Sequence, residues 1–519
     1  MTLSACGGGG GSANTSGQGQ GGQGGGQAGQ TSQSQTLTVA IGIDADTLDP
    51  AGQTTTTIQN ILDYVTQPLV ALDKDGKTQP LLATSWEPSP DGLTVTFHLR
   101  TGVRFQDGTP FDAQAVKFSL DRMLDPKVKV PLRGPFTAIQ SVEAKDPQTV
   151  VLHLKHPAPA LVSALTETAA AIISPASIDK YGNTYENYQH PVGTGPYAFK
   201  EWVKNDHITL ARFDGYWGQK PYYGSVVFKV VPEAATRESM LLAGQADVII
   251  LPPASDLKAL QQNPAVKVLL APSDRTIFIA INTQDPKLKD PRVRQALNYA
   301  VDKQAIIQNV LFGAADPMDA PMAKSLFGYC SIGAYPYDPA KAKQLLQEAG
   351  EPSLTLRFIA PTGRYVQDFQ AAQAIAGDLA KVGVQTSVQT MDWPTYVATM
   401  TKPLNENTTQ LHMLGWAPGY MDAEQQMVQF LKADWPPAGL ASSFYTNPKV
   451  EQLVAQAGQT VDPAQRQQLY CEASKQIWSD APWIFLWTQR FPIVYSAKIT
   501  GVSYLPNEMF DILNARPAQ

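Results

Sequence analysis

A layered α/β chain of more than one domain is predicted by three observations. Segments with a period of two alternate with segments of period 3.6, the pattern of sheets covered by helices. The 519 residues exceed what a single core comfortably holds, so two or three domains are expected. No run approaches the roughly 18–20 apolar residues of a membrane-spanning helix, so the strands and helices are expected in water-soluble domains.

The leading end is of another kind. Residues 1–6 read MTLSAC, and residues 7–35 are almost only Gly, Gln, Ser, Ala, Thr and Asn. Such a stretch buries no apolar surface and is expected to be a flexible tether. Leu37-Thr38-Val39-Ala40-Ile41 reads as the first strand. Thr54 to Thr57 precede an apolar helix through Ile58, Ile61, Leu62 and Val65. Their hydroxyls either cap that helix or line a cleft, and Thr56 and Thr57 are the cleft candidates.

Residues 80–124 are the most informative stretch. Leu93, Val95, Phe97 and Leu99 alternate with Thr94, Thr96, His98 and Arg100, a strand with one buried face. It is entered through Asp91-Gly92 and left through Asp107-Gly108-Thr109-Pro110. Asp112 then caps a helix whose apolar side is Val116, Leu120, Met123 and Leu124. Residues 142–154 alternate again, and Pro191 to Tyr197 (PVGTGPY) form a tight turn before a strand around Phe199. That turn lacks the Lys-Ser/Thr of a phosphate loop and the spacing of a dinucleotide fingerprint. Val226–Val231, Val248–Leu251 and Ile277–Asn282 read as buried strands, with a short helix from Arg237 to Gly244. Asp290-Pro291, Asp302 and Asp338-Pro339 open capped helices, and Gly350 stops the last of them.

Charge and chemistry-bearing residues exclude several classes. A net charge of −6 without a Lys/Arg run argues against a nucleic-acid surface. With no CxxC, no HExxH and six scattered histidines, no metal site or cofactor is expected. No GxSxG elbow or SxxK is present, and no carboxylate pair stands out by spacing, so an enzyme is not expected.

Residues 80–124, the PVGTGPY turn, DPRVRQAL at 290–297 and YDPAKAKQLLQEAG at 337–350 resemble the family 5 extracytoplasmic solute-binding proteins. These are receptors of ABC importers for peptides, nickel and oligosaccharides. The resemblance runs from about residue 37 to residue 505. It implies a two-lobed periplasmic-binding-protein-like fold of the large, cluster C type, with a ligand cleft between the lobes. By that analogy lobe 1 holds residues 37–275 plus 488–519, with an extra subdomain at about 80–190, and lobe 2 holds 276–487. Residues 1–36 are the tether. The chain would cross between lobes near 270–282 and 484–492, and closure would bury the ligand.

Leu3-Ser4-Ala5-Cys6 resembles the lipobox of bacterial lipoproteins, which implies a lipid on Cys6. With Cys6 set aside, Cys330 and Cys471 remain as an even pair in an oxidising compartment, either a disulfide or two buried thiols. Gly415 to Asp422 (GWAPGYMD) puts Trp416 and Tyr420 on a loop or strand end, where they face either a ligand or the core. Peptide-binding relatives carry an ammonium-pairing aspartate a few residues after the tryptophan. Gly419 matches that position, and Asp422 matches a later aspartate. Arg364, in Pro361 to Tyr365, matches an arginine that holds the ligand carboxylate in dipeptide-binding relatives, with Tyr365 beside it. Trp393, in Met391-Asp392-Trp393-Pro394, matches an aromatic that reaches the cleft.

The expected protein is a monomeric, lipid-anchored extracytoplasmic receptor that captures a peptide-like solute and delivers it to a permease. An oligosaccharide is the alternative ligand, and a ligand-sensing domain without transport is the alternative of another class. Nickel is less favoured because no histidines cluster.

Overall fold

The computed structural model describes residues 35–131, 133–183, 188–391 and 393–519, with Pro394 described by its backbone alone. Cys6, Asp392 and residues 1–34 of the expected tether lie outside the described residues.

A single long sheet runs through the molecule. Its main path begins Val384–Met391, Leu354–Pro361, Leu411–Trp416, Val266–Ile281 and Trp483–Ser496. It continues through Val248–Ile250, Thr36–Ile41, Ser225–Val230, His207–Arg212 and Tyr197–Val203, and Ala315–Pro317 pairs with Trp483–Ser496 off this path. The two longest strands, Val266–Ile281 and Trp483–Ser496, are antiparallel neighbours whose register shifts between Pro272 and Thr276. Before the shift, residues 266–272 lie against 490–496; after it, 276–280 lie against 483–488 and also against 411–416. The sequence pattern marked only residues 277–282 as strand. The earlier half escaped because Ser273, Asp274 and Arg275 interrupt the apolar run.

Separate cores form on either side of that shift. Leu37, Val39, Ile41, Phe228, Ile493, Phe510 and Ile512 make one. Ile279, Leu297, Phe358, Ile375 and Leu411 make another. A further cluster, which also takes in Leu72, includes Phe278 and Trp483, whose rings stack at 3.4 Å. Cys330 and Cys471 are joined as a disulfide, Cα atoms 5.5 Å apart, tying a loop to the helix Pro463–Asp480. Among the described residues no helix is long and apolar enough to cross a membrane.

Residues 83–154 build a four-stranded antiparallel sheet, in the order Ala83–Pro88, Thr94–Leu99, Thr149–Leu154, Ile139–Asp146. Val95, Phe97 and Leu99 point inward as their alternation requires, but Leu93 precedes the strand and is exposed. The expected single strand at 142–154 is two strands of a hairpin, broken at Pro147-Gln148 because proline has no N–H for the ladder. The helix Ala113–Leu124 covers this sheet. Asp112 accepts hydrogen bonds from the Gln114 and Ala115 amides, both at 3.0 Å, a cap that contributes about 1 kcal/mol.

The glycine-rich turn is structural. A Cβ on Gly193 would stand 2.3 Å from the Val65 carbonyl oxygen, and one on Gly195 2.4 Å from that of Tyr64. The Gly195 amide donates to the Val65 carbonyl at 3.0 Å, so the turn is pressed onto residues 64–66, where only glycine fits.

Candidate ligand-binding cleft

Two adjoining cavities lie along the register shift, one of about 680 Å³ and one of about 330 Å³. Thr54, Thr56, Arg275, Arg364, Tyr365 and Trp393 line both, so they form one continuous cleft. Such a volume accommodates a small peptide or drug-sized solute.

Of the residues singled out from sequence, six face this cleft. Thr56 and Thr57 lie in the first turn of the helix Thr56–Asp63, and both line the larger cavity. Thr55 occupies the cap position, but its side chain makes no capping bond. Arg364 and Tyr365 follow the strand Leu354–Pro361, held by Asp368, whose carboxylate accepts from their amides at 2.8 and 3.1 Å. Trp393 stands edge-on to Tyr365, ring centroids 6.2 Å apart. The Tyr365 hydroxyl accepts from the Gly415 amide at 2.8 Å, which fixes the ring beside the end of Leu411–Trp416. Trp416 lines the smaller cavity and anchors its indole N–H on the Gln425 carbonyl at 2.8 Å.

Tyr420 and Asp422 are a correction: neither lines either cavity. Tyr420 is buried in the core of the four-stranded sheet. Asp422 caps the short helix Ala423–Met427 and accepts two 2.7 Å hydrogen bonds from Arg466, with both side chains buried. A carboxylate so fully engaged has nothing left for a ligand.

The cleft's arginines differ in what they hold. Arg275 forks onto Glu508 with contacts of 2.6–3.0 Å. Burial opposes its charge, but the Glu508 carboxylate outweighs this and raises its pKa. Glu508 holds that position from a left-handed backbone conformation, φ 64°. Arg237 donates to the carbonyls of Ile250, Val231, Pro232 and Leu251. Arg364 has only ring faces: its guanidinium carbon is 5.1 Å from the Tyr365 centroid and 5.2 Å from that of Trp393. It is exposed along the cleft yet walled by protein, and this partial desolvation, with the charge of Arg275, lowers its pKa. It nonetheless stays charged, as an arginine does.

Glu167 and Asp274 line the smaller cavity, and Asp63, behind its lining, feels the charge of Glu167. Burial raises the Glu167 carboxyl to about 7. Asp63, also about 7, is raised by burial, with the Thr168 hydroxyl bond opposing and the Glu167 charge adding. Asp274 is also raised well above the usual carboxylate range, first by burial and then by Glu508, against the pull of Arg275. Among the described residues no group of three His, Cys, Asp or Glu side chains is arranged to hold a metal ion. Asp274, Arg275, Glu508 and Glu167 were missed in the sequence. For the first two the available signal was a polar triplet inside an apolar strand.

The model for bacterial extracellular solute-binding proteins, family 5, matches residues 77–437. A glutathione-binding protein GsiB of Pectobacterium atrosepticum is 36% identical over 472 residues, covering 90% of this chain and 91% of its own length. Among solved structures, the periplasmic binding protein DppA of Helicobacter pylori in complex with the peptide STSA superposes with a TM-score of 0.79. It is 26% identical, and the match covers 93% of this chain and 98% of that one. AgaA of A. tumefaciens R10, in complex with agropinic acid, gives a TM-score of 0.77 at 27% identity, covering 93% and 99%. The fold and cleft define a solute-binding receptor of the ABC transporter class. The chain belongs to the family 5 bacterial extracellular solute-binding proteins.

Proposed function

We propose that this chain captures a small carboxylate-bearing peptide, glutathione being the leading candidate, and hands it to the permease of an importer. One observation carries the reading. Among the arginines lining the cleft, Arg364 alone keeps its fork free of protein acceptors among the described residues, stacked on two aromatic rings. A guanidinium matches a carboxylate with two parallel donors, and the rings hold it in place for that purpose. The names of the similar proteins support the same ligand class.

In this reading the lobes comprise residues 37–275 with 488–519, and 276–487. The register shift at Pro272/Thr276 supports a hinge at that point. Capture involves no chemical step; the solute favours closure by its greater affinity for the closed form. The lipid on Cys6 and the extracytoplasmic location complete the proposal and rest on the sequence.

The test is native mass spectrometry of protein as isolated, followed by calorimetric titration of ligand-free protein with glutathione, dipeptides and maltotriose. A peptide-sized passenger and binding of glutathione or dipeptides are expected. An oligosaccharide passenger, with heat only from maltotriose, would refute the reading.

A further inference from the structure

We propose that Asp274 and Glu167 form an ammonium-binding subsite in the smaller cavity, so that the solute carries a cationic amine as well as an anionic group. This deepens the peptide reading and rests on it for the anionic end. It names different residues and a second charge requirement.

Asp274 sits on the strand Val266–Ile281 at the register shift and has no exposed surface. Neither of its carboxylate oxygens has a hydrogen-bond partner among the described residues, although it lines the cavity. Leaving a buried acceptor unpaired is costly, and native proteins rarely do it without a reason. The neighbouring cation, Arg275, is already held by Glu508 with three contacts of 2.6–3.0 Å. Two further lining residues present buried acceptors that have no donor among the described residues: Asn507 through Oδ1 and Gln425 through Oε1.

Glu167 approaches from residues 161–170 of the four-stranded-sheet region. Its Oε1 lies 2.4 Å from where a Cβ on Gly419 would stand, so it occupies the room that residue 419 leaves empty. The charges of Glu167 and Asp274 act on one another. Around Asp274 the smaller cavity thus gathers acceptors that no donor satisfies among the described residues, while the free fork of Arg364, which lines it too, is left for the anionic end. A primary ammonium brings three N–H donors and one positive charge, the complement of that set. A divalent metal suits it less, because among the described residues no third carboxylate, histidine or thiol completes a ligand sphere.

Two arms test this separately from the peptide reading. In the first, the probe is propylammonium chloride against sodium chloride at equal ionic strength, read as melting temperature. The parent is expected to melt higher with propylammonium, and Asp274→Asn or Glu167→Gln to lose most of that difference. Equal melting in the two salts for the parent, an unchanged difference in both variants, or a larger response to magnesium chloride would overturn the subsite. Asp274→Asn is also expected to melt no lower than the parent without ligand, since it removes a buried carboxyl that has no hydrogen-bond partner among the described residues; a marked fall would mean that Asp274 is structural and would overturn its role.

In the second arm, glutathione and N-acetylglutathione are titrated calorimetrically. The parent should prefer glutathione at least tenfold, and the Asp274→Asn/Glu167→Gln double variant should bind the two alike. Equal binding of both by the parent overturns the subsite and leaves the peptide reading standing. Success of the first arm with no binding of either tripeptide sinks glutathione as ligand and supports the subsite.

Discussion

Asp422 pairs with Arg466 in a buried setting, and replacing it separates a structural carboxylate from a ligand-binding one. The side chains are 3% and 4% exposed, and two 2.7 Å hydrogen bonds join them. In Asp422→Ala the guanidinium keeps the Ala457 carbonyl, the Tyr470 hydroxyl and the ring faces of Phe327 and Tyr470. The nearest remaining carboxylate is Glu424 at 3.8 Å, more than a third exposed and therefore a weak substitute. Leaving a buried charge unpaired costs about 3–5 kcal/mol, and losing the cap on Ala423–Met427 adds about 1 kcal/mol. Unfolding free energy should fall by roughly 4–6 kcal/mol, read from guanidinium chloride midpoints. Asp422→Ala/Arg466→Met should recover much of this, because removing both partners leaves no stranded charge. Affinity for glutathione, measured on folded protein, should stay within about twofold of the parent. An unchanged midpoint together with lost binding would refute this reasoning and return Asp422 to the ligand.

Arg364→Ala should weaken carboxylate ligands about 10- to 100-fold, from the ~1.5–3 kcal/mol of a hydrogen bond to a charged group. Arg364→Lys should recover only part of it, because an ammonium lacks the planar fork; calorimetry decides. Replacing both Cys330 and Cys471 by serine opens a link across 141 residues of sequence and should lower unfolding free energy by about 4–5 kcal/mol on the chain-entropy model. The pH response follows from Glu167, raised from its ordinary 4.5 to about 7 by burial. Its folded form binds the proton more tightly, so its contribution to stability is full below pH 4.5 and lost as pH rises through 7. Asp63, facing it from Thr56–Asp63, and Asp274 act in the same direction. Melting temperature of ligand-free protein should therefore fall between pH 5 and 7.5, while affinity for an amine-bearing peptide rises across the same window. Flat affinity over that window would contradict deprotonation on binding.

Local signals were legible where one short segment contains its own physical reason. Asp112, Asp290, Asp302 and Asp338 all cap the helices expected of them, because a cap is decided within four residues. Arg364 and Trp393 were found through resemblance, and they do meet at the cleft. Tyr420 and Asp422 are only four and six residues from Trp416, yet they point elsewhere. Burial direction on an irregular loop depends on partners far away in sequence, here Arg466 and the four-stranded sheet. Glu167 was invisible for the same reason: its role depends on Gly419, 252 residues further along. Asp274 and Arg275 were marked by their polarity inside a strand, but a period-two pattern treats such a triplet as a strand boundary rather than a hinge.

The arrangement of charges bears on how the proposed lobes close. Moving an equilibrium from about 1:99 to 99:1 takes some 5.5 kcal/mol of differential affinity. One charged hydrogen-bonded anchor supplies about 1.5–3 kcal/mol, so a single anchor falls short and two approach the requirement. Arg364 lies on residues 276–487, while Glu167 and Asp274 lie on residues 37–275. A solute that engages only one side gains affinity without favouring closure. Arg364→Ala should thus still bind an amine-bearing ligand weakly, but without the compaction seen for the parent. Small-angle scattering at saturating glutathione is the measurement: a radius of gyration that falls on binding in the parent and stays constant in Arg364→Ala is expected. Equal compaction in both would mean that closure draws its energy from contacts other than this charge pair.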